Sequence, residues 1–320
     1  MADVLEILKE RTLLCDGALG SYAAALEPEL FKQCKSCTDL LTLEHEDLIC
    51  RIHGDYLEAG SDAIETNTFN ASPLAMQAQH RLSWEDTFAL NLKAVRLARK
   101  MADEFAAMER PRFVFGSIGP GHVKPSLGKF IKSQAVDQKD LIRSYAAQAT
   151  ALCEGGVDAF LIETSSDILQ IDAALEGIKE ARAAKGYKAP LFVSVTIEKV
   201  DPTGQRPIST SMGHSLLDIA RLAEERGADL LGLNCGTGPE GMKLPLRFLQ
   251  DNWKGLIGCQ PNAGLPTRIG DQDCYMMKPE DLSAHFKTLL GSNRINLAGG
   301  CCGTTPLHIK ELGMILKVAG

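Results

Sequence analysis

The chain reads as a single α/β domain of the (β/α)8 TIM-barrel class, and three observations predict it. Eight short runs rich in β-branched or apolar residues recur along the 320 residues, at 12–16, 63–68, 113–118, 159–163, 191–197, 230–235, 256–260 and 295–298. Each is short, continuous and apolar, the pattern of a parallel strand covered on both faces. Segments of helical period lie between them, as at 140–153 and 216–225, where apolar residues return every three to four positions. A third feature is a repeated junction: Gly60-Ser61-Asp62, Gly156-Val157-Asp158 and Gly227-Ala228-Asp229 each stand just before a strand. A glycine there ends the preceding helix in the left-handed conformation and turns the chain into the sheet.

Eight strand-helix units, with no Gly-x-Gly-x-x-Gly after the first strand, favour a closed barrel over an open doubly wound sheet. No low-complexity linker divides the chain, so residues 1–320 are expected to form one domain. Composition narrows the function. Charged residues make up 23% and the net charge is -7, which leaves no basic footprint for nucleic acid or an anionic membrane surface. No apolar run reaches the length of a membrane span, and the N-terminus lacks a basic region followed by an apolar one, so a cytoplasmic location is expected. Ten cysteines in 320 residues is about 3%, well under the density of a disulfide scaffold. Reduced thiols follow, and clustered thiols then point to metal binding or catalysis.

In a barrel of this class the active site lies at the C-terminal ends of the strands. Polar residues gather there: Asp16 after the first run, Glu65, Asn67 and Thr68 in the second, Glu163 in the fourth, Glu198 after the fifth, Asn234 and Cys235 in the sixth, Gln260 and Asn262 at the seventh, Cys301 and Cys302 after the eighth. Closing the barrel brings the sixth and eighth strand ends to one rim. Adjacent strand residues point to opposite faces, so Cys301 and Cys302 can serve one metal only where the backbone leaves strand geometry. Glycines at 299, 300 and 303 permit that. Three thiolates suit zinc and leave it an open position, which implies catalysis on a thiol. The plain alternative is three small buried residues. Cys34 and Cys37 form a Cys-x-x-Cys with no second pair, read as incidental, and Cys15, Cys50, Cys153, Cys259 and Cys274 are read as packing residues.

At these residues the sequence resembles the homocysteine S-methyltransferase family, and within it the N-terminal homocysteine-binding domain of cobalamin-dependent methionine synthases. The resemblance spans nearly the whole chain, through Asp-Gly-Ala-Leu-Gly at 16–20, Ile-Glu-Thr-Asn-Thr-Phe at 64–69, Gly-Ser-Ile-Gly-Pro at 116–120, Leu-Ile-Glu-Thr at 161–164, Gly-Leu-Asn-Cys at 232–235, Gln-Pro-Asn-Ala-Gly at 260–264 and Gly-Gly-Cys-Cys-Gly-Thr at 299–304. It implies a zinc ion on Cys235, Cys301 and Cys302, a homocysteine thiolate bound to it, and methionine as product. It also implies that Asp16, Gly17 and Glu163 grip the amino-acid head, that Asn262 stands close to the metal, and that Glu65, Asn67 and Thr68 line the pocket. Read as residues alone, Asp16 could equally cap a turn, Glu163 pair with a cation, Asn262 serve the turn beside Pro261, and Glu65, Asn67 and Thr68 form internal hydrogen bonds.

No Asp-x-His-x-x-Gly, the corrinoid-ligating motif of that family's cobalamin module, occurs in the chain. The methyl donor is therefore expected on a separate corrinoid protein or module, with a small donor such as betaine, S-methylmethionine or another onium compound as the alternative. A non-catalytic zinc-binding partner module is the alternative from another class, and a phosphate-binding barrel a further one.

Overall fold

The computed structural model describes residues 3–35, 37–108, 110–201, 203, 205–269 and 272–319. Eight parallel strands form one sheet: β1 Leu13–Leu14, β2 Ala63–Glu65, β3 Phe113–Ile118, β4 Ala159–Ser165, β5 Leu191–Val195, β6 Leu230–Asn234, β7 Leu256–Gln260 and, after an antiparallel hairpin of β8 Pro266–Ile269 with β9 Gln272–Tyr275, β10 Leu297–Ala298. The order is β1-β10-β7-β6-β5-β4-β3-β2, and a helix follows every barrel strand. This is the (β/α)8 TIM barrel that the sequence predicts.

The ladder is open between β1 and β2, and side chains bridge the gap. Asp62 donates its N–H to Leu14 O at 2.6 Å and accepts the Leu14 N–H on Oδ2 at 3.1 Å, while the Glu65 N–H reaches Asp16 Oδ2 at 3.0 Å. Each carboxylate takes an amide hydrogen that would otherwise be buried unpaired.

The Asp62 arrangement repeats around the barrel. Asp158 exchanges hydrogen bonds with Val114 at 2.8 and 2.7 Å, Asp229 with Leu191 at 2.8 and 2.9 Å, and Asn296 with Ile257 at 2.8 and 3.0 Å. In every case the residue just ahead of one barrel strand clamps the start of the strand before it. The repeated Gly-x-Asp junction thus has two jobs: the glycines at 60, 156 and 227 end their helices in the left-handed region, and the acids tie neighbouring strands at the base.

Strand side chains alternate between two cores. Phe113, Phe115, Leu161, Phe192, Leu230 and Leu297 fill the barrel interior, with Phe115 and Phe192 edge to face at 5.4 Å. Val114, Ile162, Val193, Leu231 and Ile257 face the outer helices. Helix Val4–Glu10, capped by Asp3, sets Val4 and Leu8 into the interior cluster and plugs the base. Among the described residues no helix is long and apolar enough to cross a membrane.

Several strands differ in length from the sequence expectation. The runs at 12–16, 63–68, 191–197, 230–235 and 295–298 shorten to β1, β2, β5, β6 and β10, although Cys15 N still donates to Ala298 O at 2.6 Å and Thr66 N to Phe115 O at 2.9 Å. β4 instead continues to Ser165 through a shift of register, with Thr164 left-handed at φ 57°. The β8–β9 hairpin is a finding of the structure; it carries no barrel-strand signal, being four residues on each side with polar positions interspersed.

Candidate functional site

The C-terminal rim opens into a cavity of about 800 Å³. Its wall includes Asp16, Gly17, Glu65, Asn67, Glu163, Cys235, Cys301 and Cys302, so eight of the ten residues to which the family resemblance gives a role meet at one place. Thr68 and Asn262 are not in that wall.

The thiols converge because their loops leave strand geometry. Cys235 follows β6 with φ 58°, an uncommon left-handed conformation for a residue with a Cβ. Its N–H is held by Gln260 O at 3.2 Å and its carbonyl accepts from Thr237 N at 2.7 Å. The turn after β10 is held from three sides: Gly300 N donates to Asp16 O at 3.0 Å, Cys301 N to Pro261 O at 2.9 Å, and Gly303 N to Ser21 Oγ at 2.9 Å. Thr304 Oγ1 donates to Cys301 O at 2.7 Å and accepts from Ala18 N at 3.1 Å. Gly303 lies against the hairpin so closely that a Cβ there would fall 2.2 Å from Tyr275 Cβ.

The result is three sulfurs within 4.8 Å of one another, with Cys235 Sγ 3.8 Å from Cys302 Sγ. The Cys302 thiol is pulled well below the usual range, first by its hydrogen bond from Cys235 and then by that from Cys301. A set of three soft donors, with no imidazole or carboxylate among them, fits a thiophilic ion that accepts sulfur in tetrahedral geometry. Buried Asn262 has a side-chain oxygen, Oδ1, without a hydrogen-bond partner among the described residues.

Three carboxyl groups share the cavity. Asp16 ends the β1 run, Glu65 ends β2, and Glu163 sits in β4 with Ser117 Oγ donating to its Oε1. Glu65 Oε1 accepts from Gln260 Nε2 at 2.7 Å, and the buried Cys15 thiol donates to Asp16 Oδ1 at 3.5 Å and Glu65 Oε1 at 3.7 Å. Burial pushes Asp16 up to about 8. Glu65 also rises to about 8, through burial first and the neighbouring Asp16 second. Burial, then the Glu65 charge, raises Glu163 well above the carboxylate range. Such a cluster favours a cation or shared protons over three free charges.

The other sequence-selected residues also make contacts within the protein. Asn67 lines the cavity, yet its amide donates to Thr38 O at 2.8 Å and Thr42 Oγ1 at 2.9 Å, pinning the segment that follows β1. Thr68 donates to Ser117 O at 2.7 Å and shares a 2.6 Å bond with Thr66 Oγ1. Asn262 donates its N–H to Thr237 O at 3.1 Å. At Gly17 a Cβ would lie 2.5 Å from Thr304 Oγ1. Cys34 and Cys37 are buried away from the three clustered thiols, Cys37 against Asp39 Oδ2 at 3.5 Å.

Sequence reading gave no role to several wall residues. Asn234 and Gln260 were visible as polar strand ends; Asn234 accepts from Thr164 N at 3.0 Å and Ser194 Oγ at 3.0 Å, fixing the β4 bend beside Glu163. Ser117 lies inside an apolar run, and Arg268 and Tyr275 arrive on the hairpin, so neither spacing nor periodicity marks them.

Comparison with known proteins places this geometry in a family. Residues 13–316 match the family described as homocysteine S-methyltransferase. The methionine synthase of Mycobacterium tuberculosis is 35% identical over 312 residues, which is 97% of this chain and 25% of that protein. The methionine synthase of Mycobacterium leprae is 34% identical with the same coverage. The chain thus spans about a quarter of the length of these relatives. Among solved structures, the metallated form of the Escherichia coli homocysteine methyltransferase MmuM superposes with a TM-score of 0.77 at 22% identity, covering 98% of this chain and all of that one, a likeness of fold. Because the family match runs from β1 into the last helix and takes in every cavity-lining strand end, the chain belongs to the homocysteine S-methyltransferase family.

Proposed function

We propose that this chain is the homocysteine-binding unit of a zinc-dependent methyltransferase, with Cys235, Cys301 and Cys302 as zinc ligands and the whole of residues 1–320 as one functional unit. The observation that carries this reading is the meeting of three thiol sulfurs in the wall of a cavity that also holds three carboxyl groups. Family membership and the methionine synthase relatives support homocysteine as the thiol and methionine as the product. Bound zinc supplies the Lewis acidity that keeps a substrate thiol deprotonated near neutral pH.

The remaining work falls to the chain's own groups. Asp16 and Glu163, with Glu65 beside them, take the substrate ammonium, whose charge offsets the cost of burying those carboxylates. Gly17 leaves the backbone after β1 open to the substrate carboxylate. Asn67 shapes the wall by fixing the segment over it, Thr68 holds the loop that carries it, and Asn262, whose buried Oδ1 has no partner among the described residues, stands available to the bound ligand. The cavity opens at the rim, where a methyl donor can approach the sulfur. A methylcorrinoid on a separate protein or module is the donor that agrees with the methionine synthase relatives, in which the matched segment is a quarter of a longer chain.

The test is zinc content and homocysteine affinity of Cys302→Ala beside the unaltered protein, followed by a donor screen. Loss of both properties with the fold retained is expected; full zinc and full affinity in the variant overturn the metal site. In the screen the zinc-loaded protein and homocysteine are given methylcobalamin, betaine or S-methylmethionine, and methionine is measured. Methionine from an onium donor alone reassigns the donor, and methionine from none of them supports a non-catalytic module.

A further inference from the structure

One residue joins the carboxyl cluster to the thiol cluster. Gln260 closes β7, and its two polar ends face different partners: the side-chain Nε2 donates to Glu65 Oε1 at 2.7 Å, and the main-chain carbonyl accepts from Cys235 N at 3.2 Å. Round the closed barrel β10 and β1 stand between β7 and β2, so the Gln260 to Glu65 bond is a strut across part of the barrel mouth. The strut is fixed at both ends. A Cβ on Gly299 would stand 3.2 Å from Gln260 Cγ, and Glu65 has its N–H on Asp16 Oδ2 at 3.0 Å. Glu65 Oε1 also receives the Cys15 thiol at 3.7 Å, which commits that oxygen to the protein.

We propose that Gln260 is a positioning residue for ammonium recognition. By engaging one oxygen of Glu65, it leaves the other to face the cavity beside Asp16 and Glu163, and so sets the preference for thiols that carry an ammonium group over thiols that lack one. An unanchored Glu65 could rotate about its side-chain torsions toward other donors, and the cluster would present two fixed carboxyls instead of three. Holding the carboxyl in advance removes a reorganisation cost from binding. The inference rests on the reading that homocysteine enters with its ammonium toward the carboxyl cluster.

The experiment uses the zinc-loaded protein and two ligands, homocysteine and its des-amino analogue mercaptobutyrate, with affinities measured by calorimetry. The unaltered protein should favour homocysteine by roughly a hundredfold or more, since a site built around a polar group rejects the analogue that lacks it. Gln260→Leu should lower that preference by about tenfold, with zinc content and mercaptobutyrate affinity unchanged. A double-mutant cycle adds the decisive arm: if Gln260 acts through Glu65, then Glu65→Gln with Gln260→Leu loses no more preference than Glu65→Gln alone.

Equal weakening of both ligands by Gln260→Leu, or full additivity in the cycle, overturns the proposal. If Gln260→Leu fails to hold zinc, Gln260→Asn, an amide one methylene too short for the strut, supplies the same comparison. An unaltered protein with no preference between the two ligands overturns the underlying reading as well, and so separates that failure from failure of the strut.

Discussion

Asp16 Oδ2 accepts the Glu65 amide hydrogen at 3.0 Å, at the seam where β1 and β2 share no ladder. One carboxyl group therefore completes the barrel wall and faces the cavity. Asp16→Ala leaves the Glu65 N–H unpaired, and about 1–3 kcal/mol of stability should be lost. Asp16→Asn keeps a side-chain oxygen for that N–H and should lose less, while both variants weaken homocysteine binding. Chemical denaturation beside calorimetric titration checks the separation; equal destabilisation by the two variants would show that the seam bond contributes nothing.

The carboxyl cluster sets a dependence of stability on pH. Asp16 and Glu65 rise from ordinary values of 3.8 and 4.5 to about 8 in the folded protein, so over that interval the folded state binds more protons than the unfolded chain. Their contribution is full below about pH 4 and is lost as pH climbs through about 8. Glu65→Gln removes one of these titrations. The variant should melt closer to the unaltered protein in acid and gain on it by a few degrees at about pH 8 to 9, in melting curves recorded without substrate. A difference that stays constant across the range would sink the assignment.

Gly303 should be intolerant of any side chain. Its φ is 79°, and a Cβ would collide with Tyr275. Gly303→Ala must push the β8–β9 hairpin outward or twist the turn that carries Cys302. Zinc affinity should fall about 10- to 100-fold, the scale seen when groups supporting metal ligands are disturbed. Competition against a chromogenic chelator measures it.

Asp229 offers a control at the other end of the barrel. Its carboxylate holds Leu191 N at 2.9 Å, far along β5 and β6 from the rim. Asp229→Ala should destabilise by about 1–3 kcal/mol through the unpaired amide. Zinc content and homocysteine affinity of the folded fraction should not change, because barrel bases bear on stability and barrel rims on chemistry.

Much of this protein was determined by the sequence alone. The apolar runs at 113–118 and 256–260 coincide with β3 and β7, since a strand buried on both faces needs continuous apolar residues and little else. Gly-Gly-Cys-Cys-Gly and Asn-Cys-Gly marked the thiols because sulfur ligands and the glycines that let a backbone bend around them are rare side by side. Asp16, Glu65, Asn67 and Glu163 were legible as polar residues at strand ends, where a barrel puts its chemistry, while Gly17 was indicated by the family resemblance alone.

Tertiary structure decided the rest. Thr68 has the right residue type at the right strand end, yet its hydroxyl bonds to Ser117 O and Thr66 Oγ1, an orientation that periodicity does not encode. Gln260 was visible only as a polar strand end. Its partner Glu65 lies 195 residues away on a strand that shares no ladder with β7, and only closure of the barrel brings an amide and a carboxylate together. Tyr275 and Arg268 reach the cavity on a hairpin with no strong pattern of its own. Local pattern reports which face of an element is buried; which distant residues share that burial depends on how the elements close on one another.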